Sequence, residues 1–591
     1  MTAHPGLRPH KVVRVDQADG SILLQSGYDL GPVDRSSGVW LDRWAAAAPD
    51  RIFLAERSGP GWRALTYAEA GAQVHALAGG LLGLDPDGPI LILSGNSLDH
   101  ALLTLAAQYV GLVSVPVAEQ YSLNPAAHGR LKYVADLVRP ALVYADNEAL
   151  YGDALDLVGV PSICSMVSGR GAMALSALIA GGAGVAAAHA KVGPDTVAKL
   201  LLTSGSTSDP KAVETTQRMM TTNQAQVAGA LPFLADHPPV LVDWLPWNHV
   251  FGGSHNFNLV LANGGTLYID DGKPLPALFP RTVENLGLVS GTVSFNVPFG
   301  FARLVQALEA DAALREIYFR DLDMIFYAGA SLPQETWAKL GRMALEATDR
   351  MPLITSSWGL TETAPAALLQ HEPGKGAGIV GTPLPGVTAR LIDDGTGRME
   401  IRVKGPNVFT RYHADEEGTS QAFDSEGFFK TGDAMRFVDP DNMDRGLRFD
   451  GRLGEDFKLT SGTWVQAAQL RLEMLALLGP LAQDVVVCGH GRDEVGILIV
   501  PGPDAQGGTV DAGAICCAAS DDIRKYMERR AETVTGSARV VARALVLADP
   551  PDMGKGEITA KGNINFARLL DRRAALVARL YDDTDPASIL P

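Results

Sequence analysis

Short apolar runs alternate with amphipathic helical patterns through the first part of the chain, and that alternation limits the fold more than any other feature. WLDRWAAAAPDRIFLAER reads as a helix followed by a strand, and LTYAEAGAQVHALAGGLLGL as an amphipathic helix opened by Thr66. PILILSGN then predicts a buried strand, DHALLTLAAQYVG a helix and VSVPVA a strand, and ADLVRPALVYADN repeats the change. Such an order calls for an α/β fold on largely parallel sheets. No fixed-period repeat or long low-complexity tract interrupts it. At 591 residues the chain exceeds what one core supports, so at least two domains are expected.

The apolar run Leu200–Leu202 leads into TSGSTSDPK, Thr203 to Lys211. Small residues from Thr203 to Thr207 offer closely spaced backbone N–H groups and hydroxyls, and Lys211 adds a cation after Pro210. That combination suits a loop wrapped around a polyphosphate. Taken alone, it reads equally as an ordinary Ser/Gly surface loop. Charge narrows the partners. Acidic residues number 67 against 50 basic ones, a formal charge of −17, which disfavours nucleic acid or an anionic membrane as the main partner.

Four cysteines, Cys164, Cys488, Cys516 and Cys517, make no disulfide framework and lack metal-site spacing, so free thiols in a reducing cytoplasm are expected. MTAHPGLRPHKVVRVDQADG has no apolar core for a signal sequence. Gly171 to Ala190 is long enough for a bilayer and carries no formal charge, but its Ala and Gly gain little from hydrocarbon. We expect a short helix there, then a flexible connector to the loop.

Beyond the loop, PVLVDWLPWNHVFGGSHNFNLVLANGGTLYIDDGKP predicts strands around an aromatic and His-rich turn. TVSFNVPFGFARLVQAL predicts a strand entering a helix, while DLDMIFYAGASLP and MPLITSSWGLTETAP predict strands ending in small or polar turns. From Pro383 the pattern turns β-rich, with DGTG between two alternating strands in VTARLIDDGTGRMEIRVKG. Residues 455–591 are again mixed and suffice for a small domain.

TSGSTSDPK, SSWGLTETAP, KTGDAMRF and FDGRLGEDFKL occur in the order and approximate spacing of the adenylate-forming enzymes, which the chain resembles over nearly its whole length. That superfamily holds acyl- and aryl-CoA synthetases, luciferases and adenylation domains. DWLPWNHVFGGSHNFNLVLANGGTLYIDDGKP, FYAGASLPQ, EDFKLTSGTWV and GEITAKGNIN look more narrowly like feruloyl-CoA synthetase and its hydroxycinnamate relatives. The resemblance implies a large N-terminal adenylating domain, 1–453, of stacked, mostly parallel sheets with a β-rich subdomain. It also implies a small mobile α+β domain, 454–591, turning about Gly454.

The resemblance further implies a site. ATP would lie against Thr203, Ser204, Gly205, Ser206, Thr207 and Lys211, the wall Gly329-Ala330-Ser331, and Ser357-Trp358-Gly359 with Thr361. Asp433 and Arg452 would take the ribose, as a carboxylate commonly does for a diol. Glu362, a hard oxygen ligand, would hold Mg²⁺ together with Thr207. Thr361 and Glu362 also read as a helix-capping pair, Asp433 as a turn-former, and Arg452 as half of a surface ion pair. His249 would gate an acyl site lined by Phe251, Gly252, Asn256, Phe257, Phe295, Asn296, Val297 and Gly329, with Asn256 or Asn296 bonding a ring hydroxyl. Taken singly, each of these residues reads first as plain core. Near the C-terminus both Lys555 and Lys561 fit a catalytic lysine, and the GEIT-x-KG-x-IN pattern favours Lys561.

These readings make the chain an ATP-dependent acid–CoA ligase using ATP, Mg²⁺ and coenzyme A on a small-molecule aryl carboxylic acid. It would be cytoplasmic, without nucleic-acid or membrane partners, and a homodimer is compatible with it. Four departures stand out: Ser208 for a loop glycine, Arg411 for the glycine of GPNVxxGY, Gly454 at the hinge, and Phe299 for an expected basic residue. They keep open another aryl or medium-chain acid, a carrier-protein thiol as acceptor, or a non-catalytic nucleotide-binding relative. A serine hydrolase and a Walker-type NTPase are disfavoured, since GxSxG and GxxxxGK[ST] are missing.

Overall fold

A computed structural model describes residues 7–179, 184–203, 210–329, 332–374, 376–393, 395, 398–505, 507–517, 519–552, 555–557 and 564–591. Among these, seven strands form one sheet in the order Ala212–Thr216, Val197–Leu202, Ser114–Pro116, Ile90–Ile92, Leu142–Asn147, Ser162–Met166, Met173–Ala174. Every neighbouring pair is parallel except the first. Ile90–Ile92 is buried throughout, as a central parallel strand covered on both faces must be. The helix Tyr67–Leu84 opens with a capping box. Glu69 N–H donates to Thr66 Oγ1 at 3.2 Å and Thr66 N–H to Glu69 Oε2 at 2.8 Å, an arrangement whose loss costs about 0.5–2 kcal/mol.

A second sheet runs Val240–Asp243, Thr266–Ile269, Ile52–Ser58, Gly61–Thr66, the first three strands parallel. The third begins with the parallel strands Val293–Asn296, Met324–Tyr327 and Leu353–Gly359 and continues through eight antiparallel ones. The β-rich region therefore extends a parallel sheet. The hairpin Val12–Asp16/Ile22–Ser26 joins it through Gln25 opposite Thr388.

The small domain folds around its own sheet, ordered Ala482–Cys488, Val495–Pro501, Val541–Leu547, Ala514–Cys517, Gly508–Asp511. Alternate residues serve opposite faces. Val485, Ile497, Ile499 and Val546 pack with Leu470, Met474 and Ile523, while Val486, Leu498 and Leu545 pack with Leu569 and Leu580. The large domain's clusters reach no further along the chain than Phe449.

Two local expectations need correction. Between Gly171 and Ala190 the helix, Val185–Lys191, follows the glycine run, and only a 3₁₀ turn, Leu175–Leu178, precedes it. The Leu178 carbonyl lies 1.9 Å from where a side chain on Gly80 would begin, so this stretch is pressed onto the helix Tyr67–Leu84. Among the described residues no helix is long and apolar enough to cross a membrane. The His-rich segment is also helical, a π-type turn over Phe251–Asn256 running into the helix Phe257–Ala262. Its backbone touches the preceding loop. A Cβ on Gly252 would stand 2.4 Å from Leu245 O, and one on Gly253 2.1 Å from Trp247 O.

Candidate active site

Asn296 pairs with Tyr327 and Tyr327 with Ser356, so the carboxyl ends of three parallel strands form one row. A crevice beyond such ends is where open α/β sheets bind ligands. The row brings together Asn296 and Val297, Gly329, and Ser357-Trp358-Gly359. Gly329 has φ +87°, a conformation that disfavours a side chain. Gly359 leaves no room for one, because a Cβ would lie 1.7 Å from Pro365 O.

Val197–Leu202 and Ala212–Thr216 pair antiparallel up to Leu202 opposite Ala212, and Thr203 N–H donates to Lys211 O at 2.8 Å. The two ends of the candidate phosphate loop are thereby drawn together. Ser204, Gly205, Ser206, Thr207, Ser208, Ala330, Ser331 and Lys561 lie outside the described residues. Lys211 Nζ stands 3.2 Å from Asp415 Oδ2 and 4.7 Å from the centre of the Tyr412 ring. The Tyr412 hydroxyl donates to Glu362 Oε1 at 2.9 Å. Burial, then the Glu362 charge, push that phenol's pKa up, so it stays a donor. Tyr412 thus links the loop cation to the candidate metal ligand. Sequence reasoning passed over it, although it sits in the GPNVFTRYH stretch. It comes into place because His413 N–H donates to Ala212 O at 2.8 Å and Val213 pairs with Tyr412.

Thr361 and Glu362 occupy a 3₁₀ turn, Thr361–Thr363, and both are buried. After that turn the chain enters the strand Ala366–Leu369, so the pair caps no α-helix. Phe409 N–H donates to Glu362 O at 2.8 Å and anchors the turn. Asp433 is buried, accepts from Trp358 Nε1 at 2.8 Å, and lies 3.3 Å from Arg452 Nε across a strand pair. Arg411, in place of a glycine, turns its exposed side chain to Glu214, with Nε 2.5 Å from Oε2; His413 Nδ1 lies 3.1 Å from the other oxygen.

At the other end of the row, Phe251, Phe295 and Phe326 pack edge-on or tilted, with centroids 5.0–6.0 Å apart. Sequence reasoning missed Phe326 and also His255, whose ring lies 4.9 Å from Phe326 and 5.3 Å from Phe295. Their only sequence signal was an aromatic or imidazole beside residues already singled out. His249 is half-buried, and its Nδ1 accepts from Phe251 N–H at 3.2 Å. The two amides expected to meet a ring hydroxyl also bond the scaffold. Asn256 donates from Nδ2 to Asp243 Oδ2 at 2.8 Å and faces His255 Nδ1 with Oδ1 at 3.0 Å. Asn296 Oδ1 accepts from Trp244 Nε1 at 3.2 Å and from Val297 N–H at 2.9 Å. Phe257 packs in the core against Phe53 and Trp247. Phe299 is exposed under the Arg303 guanidinium.

One buried cation joins the two ends. Lys199, on the strand entering the phosphate loop, donates from Nζ to Gly253 O and Ser254 Oγ in the π-type turn. Burial pushes its pKa down to about 7.

Gly454 sits in the 3₁₀ turn Leu453–Glu455, and no atom lies within 4 Å of where its side chain would begin. The buried Arg398 reaches both sides of it, with Nε 3.3 Å from Asp450 Oδ2 and Nη1 on Asp456 Oδ2. Lys555 is exposed, its Nζ 3.5 Å from Asp552 Oδ2. Next to it, Glu557 is buried and holds Arg573 through Nε at 3.0 Å and Nη2 at 2.7 Å.

This geometry can be set beside known proteins. A 27% identical relative over 498 residues, spanning 77% of this chain and 80% of its own, is the long-chain-fatty-acid–CoA ligase FadD15 of Mycobacterium bovis. Human mitochondrial malonate–CoA ligase ACSF3 is 26% identical over 521 residues, 80% of this chain and 83% of its own. Among solved structures, the adenylation domain of a Mycobacterium chelonae carboxylate reductase superposes with a TM-score of 0.73 at 19% identity, covering 94% of this chain and 92% of its own. The anthranilate CoA ligase AuaEII, bound to anthranoyl-AMP, gives 0.71 at 17% identity, covering 93% and 98%. At these identities the two structures show the fold. The AMP-binding enzyme profile matches residues 41–413, and the AMP-binding enzyme C-terminal domain profile matches 458–585. With more than half of its length matched by the first profile, the chain belongs to the AMP-binding enzyme family.

Proposed function

We propose that the chain is an ATP-dependent acid–CoA ligase working through an acyl adenylate, and that its acid is a hydroxycinnamate of the ferulate kind. The observation that carries this reading is the row of strand ends, which sets Lys211, Tyr412 and Glu362 at one end and a buried aromatic cluster at the other. The acid carboxylate attacks the α-phosphorus of ATP and pyrophosphate leaves. The thiol of coenzyme A then attacks the acyl carbon, losing its proton as AMP departs. Positioning and charge neutralisation carry the first step.

Lys211 and the loop Thr203–Thr207 grip the phosphates, with Thr361 beside the α-phosphate. Lys561 faces the charge that develops there. Glu362 fits Mg²⁺ by chemistry: a buried carboxylate oriented by a phenol donor that cannot compete as an anion. Glu362 and Thr207 would hold the ion, which supplies charge neutralisation on the phosphates. Asp433 and Arg452 take the ribose, Gly329-Ala330-Ser331 form the adenine-side wall, Ser357-Trp358-Gly359 also contact ATP, and His249 guards the acid. The division falls at 453/454, with 454–591 turning about Gly454 between the half-reactions in the cytoplasm.

Fatty-acid and malonate ligases among the relatives support a second reading, an aliphatic acid. AMP release over a panel of aryl and alkyl acids, with coenzyme A present or absent, separates the two. Turnover of aryl acids with CoA dependence of thioester formation is expected. Turnover of alkyl acids alone would replace the substrate, and no acid-dependent AMP or pyrophosphate release would sink the ligase reading altogether.

A further inference from the structure

The acyl end holds a buried acceptor with no hydrogen-bond partner among the described residues. His255 is 2% exposed, and its Nε2 meets no donor among those residues. Its tautomer is set by neighbours. Ionised Asp243 can only accept; it takes Leu245 N–H at 3.1 Å on Oδ1 and Asn256 Nδ2 at 2.8 Å on Oδ2. That orients the Asn256 amide so that its oxygen faces His255 Nδ1 at 3.0 Å. The proton of the neutral imidazole therefore sits on Nδ1, and Nε2 is left as a bare lone pair. Burial keeps the ring neutral by pushing its pKa down to about 4. Around it stand Phe251, Phe295 and Phe326, which offer a flat, apolar surround and no donor.

We infer that His255 Nε2 is the specificity-determining acceptor for a hydroxyl on the ring of the acid, so that the enzyme selects phenolic acids over their ethers and unsubstituted analogues. This rests on the aryl-acid reading above and adds a free acceptor beside Asn256, whose amide is bonded at both polar atoms, and Asn296, whose oxygen is taken. A buried lone pair left unpaired costs about 1–3 kcal/mol, and a site built to bond a donor rejects ligands that lack one. A phenolic O–H donates, whereas a methoxy oxygen only accepts and would face lone pair with lone pair.

The test is pyrophosphate release at pH 8, where Asp243, whose pKa burial pushes up to about 7, is ionised. The probes are 4-hydroxycinnamate, 4-aminocinnamate, 4-methoxycinnamate and cinnamate. The wild type should use the two donor-bearing acids with kcat/KM about 10–100-fold above the other two. His255→Phe should bring all four to within about threefold of one another by losing the donor-bearing pair. Equal use of all four acids by the wild type would overturn the inference while leaving the aryl ligase standing, and it needs no variant to fold. Retained discrimination in His255→Phe would overturn it too. Failure to turn over any aryl acid would remove both readings together.

Discussion

The proposed nucleotide end and the proposed acyl end of the site stand on the same three strand ends but are assembled in opposite ways. At the nucleotide end the working groups are charged or hydroxylic, sit within short contiguous stretches, and are held by directed bonds such as Tyr412 to Glu362 and Trp358 to Asp433. At the acyl end they are buried rings from separate elements: Phe251 and His255 on one turn, Phe295 and Phe326 on adjacent strands. A triphosphate presents the same oxygens to every enzyme that binds it, so a local motif can answer it. The organic part of an acid varies in shape, and shape is met by packing between distant segments. Lys199 is the one described buried cation seen to bond across the two ends.

Glu362→Ala should show the largest effect, lowering kcat/KM for acid-dependent pyrophosphate release by about 10²–10³-fold if it is the charge-organising group at the nucleotide end. A drop of under tenfold would mean that the two ends share the work evenly. Lys561→Ala should lower the adenylation half-reaction by about 10²-fold, measured in single turnover. Lys555→Ala should stay within about twofold, since its exposed pair with Asp552 contributes little. The reverse result would move the role to Lys555.

Tyr412→Phe deletes one donor to a buried carboxylate and should weaken kcat/KM for ATP by about tenfold, with the acid KM barely changed. Equal damage to both constants would erase the distinction between the ends. The smallest effect concerns the bridge. Lys199 has its pKa lowered to about 7 in the folded chain, against 10.5 when unfolded. Between those values the unfolded state binds the extra proton, so this group's contribution makes stability rise with pH from 7 toward 10.5. The urea midpoint of the wild type should therefore climb between pH 7 and 9 relative to Lys199→Met. Parallel curves would show that the ammonium is not desolvated as its setting requires.

How much could be read in advance follows the same division. Strand and helix order was legible because burial on both faces demands continuous apolar runs such as Ile90–Ile92, and helix starts carry capping chemistry such as Thr66 with Glu69. Thr361 and Glu362 were singled out by motif, and they lie in a buried turn at a strand end. Tyr412 was missed because its role depends on docking a remote segment onto Ala212–Thr216. Asn256 and Asn296 were assigned to the acid because an amide in a sequence shows its capacity for hydrogen bonds but not who already holds them.

By itself, then, the sequence determined the alternating α/β architecture and the family to which the chain belongs. Hydrophobic periodicity and phosphate chemistry are local, so neighbouring residues suffice to express them. Tertiary structure alone decided that the β-rich region continues the parallel sheet, that the His-rich segment is a helix, and that His255 has a lone pair unshared among the described residues beside three phenylalanines. Those outcomes turn on which separate elements meet in a dry interior, and a hydrogen bond or its lack there depends on how those elements pack.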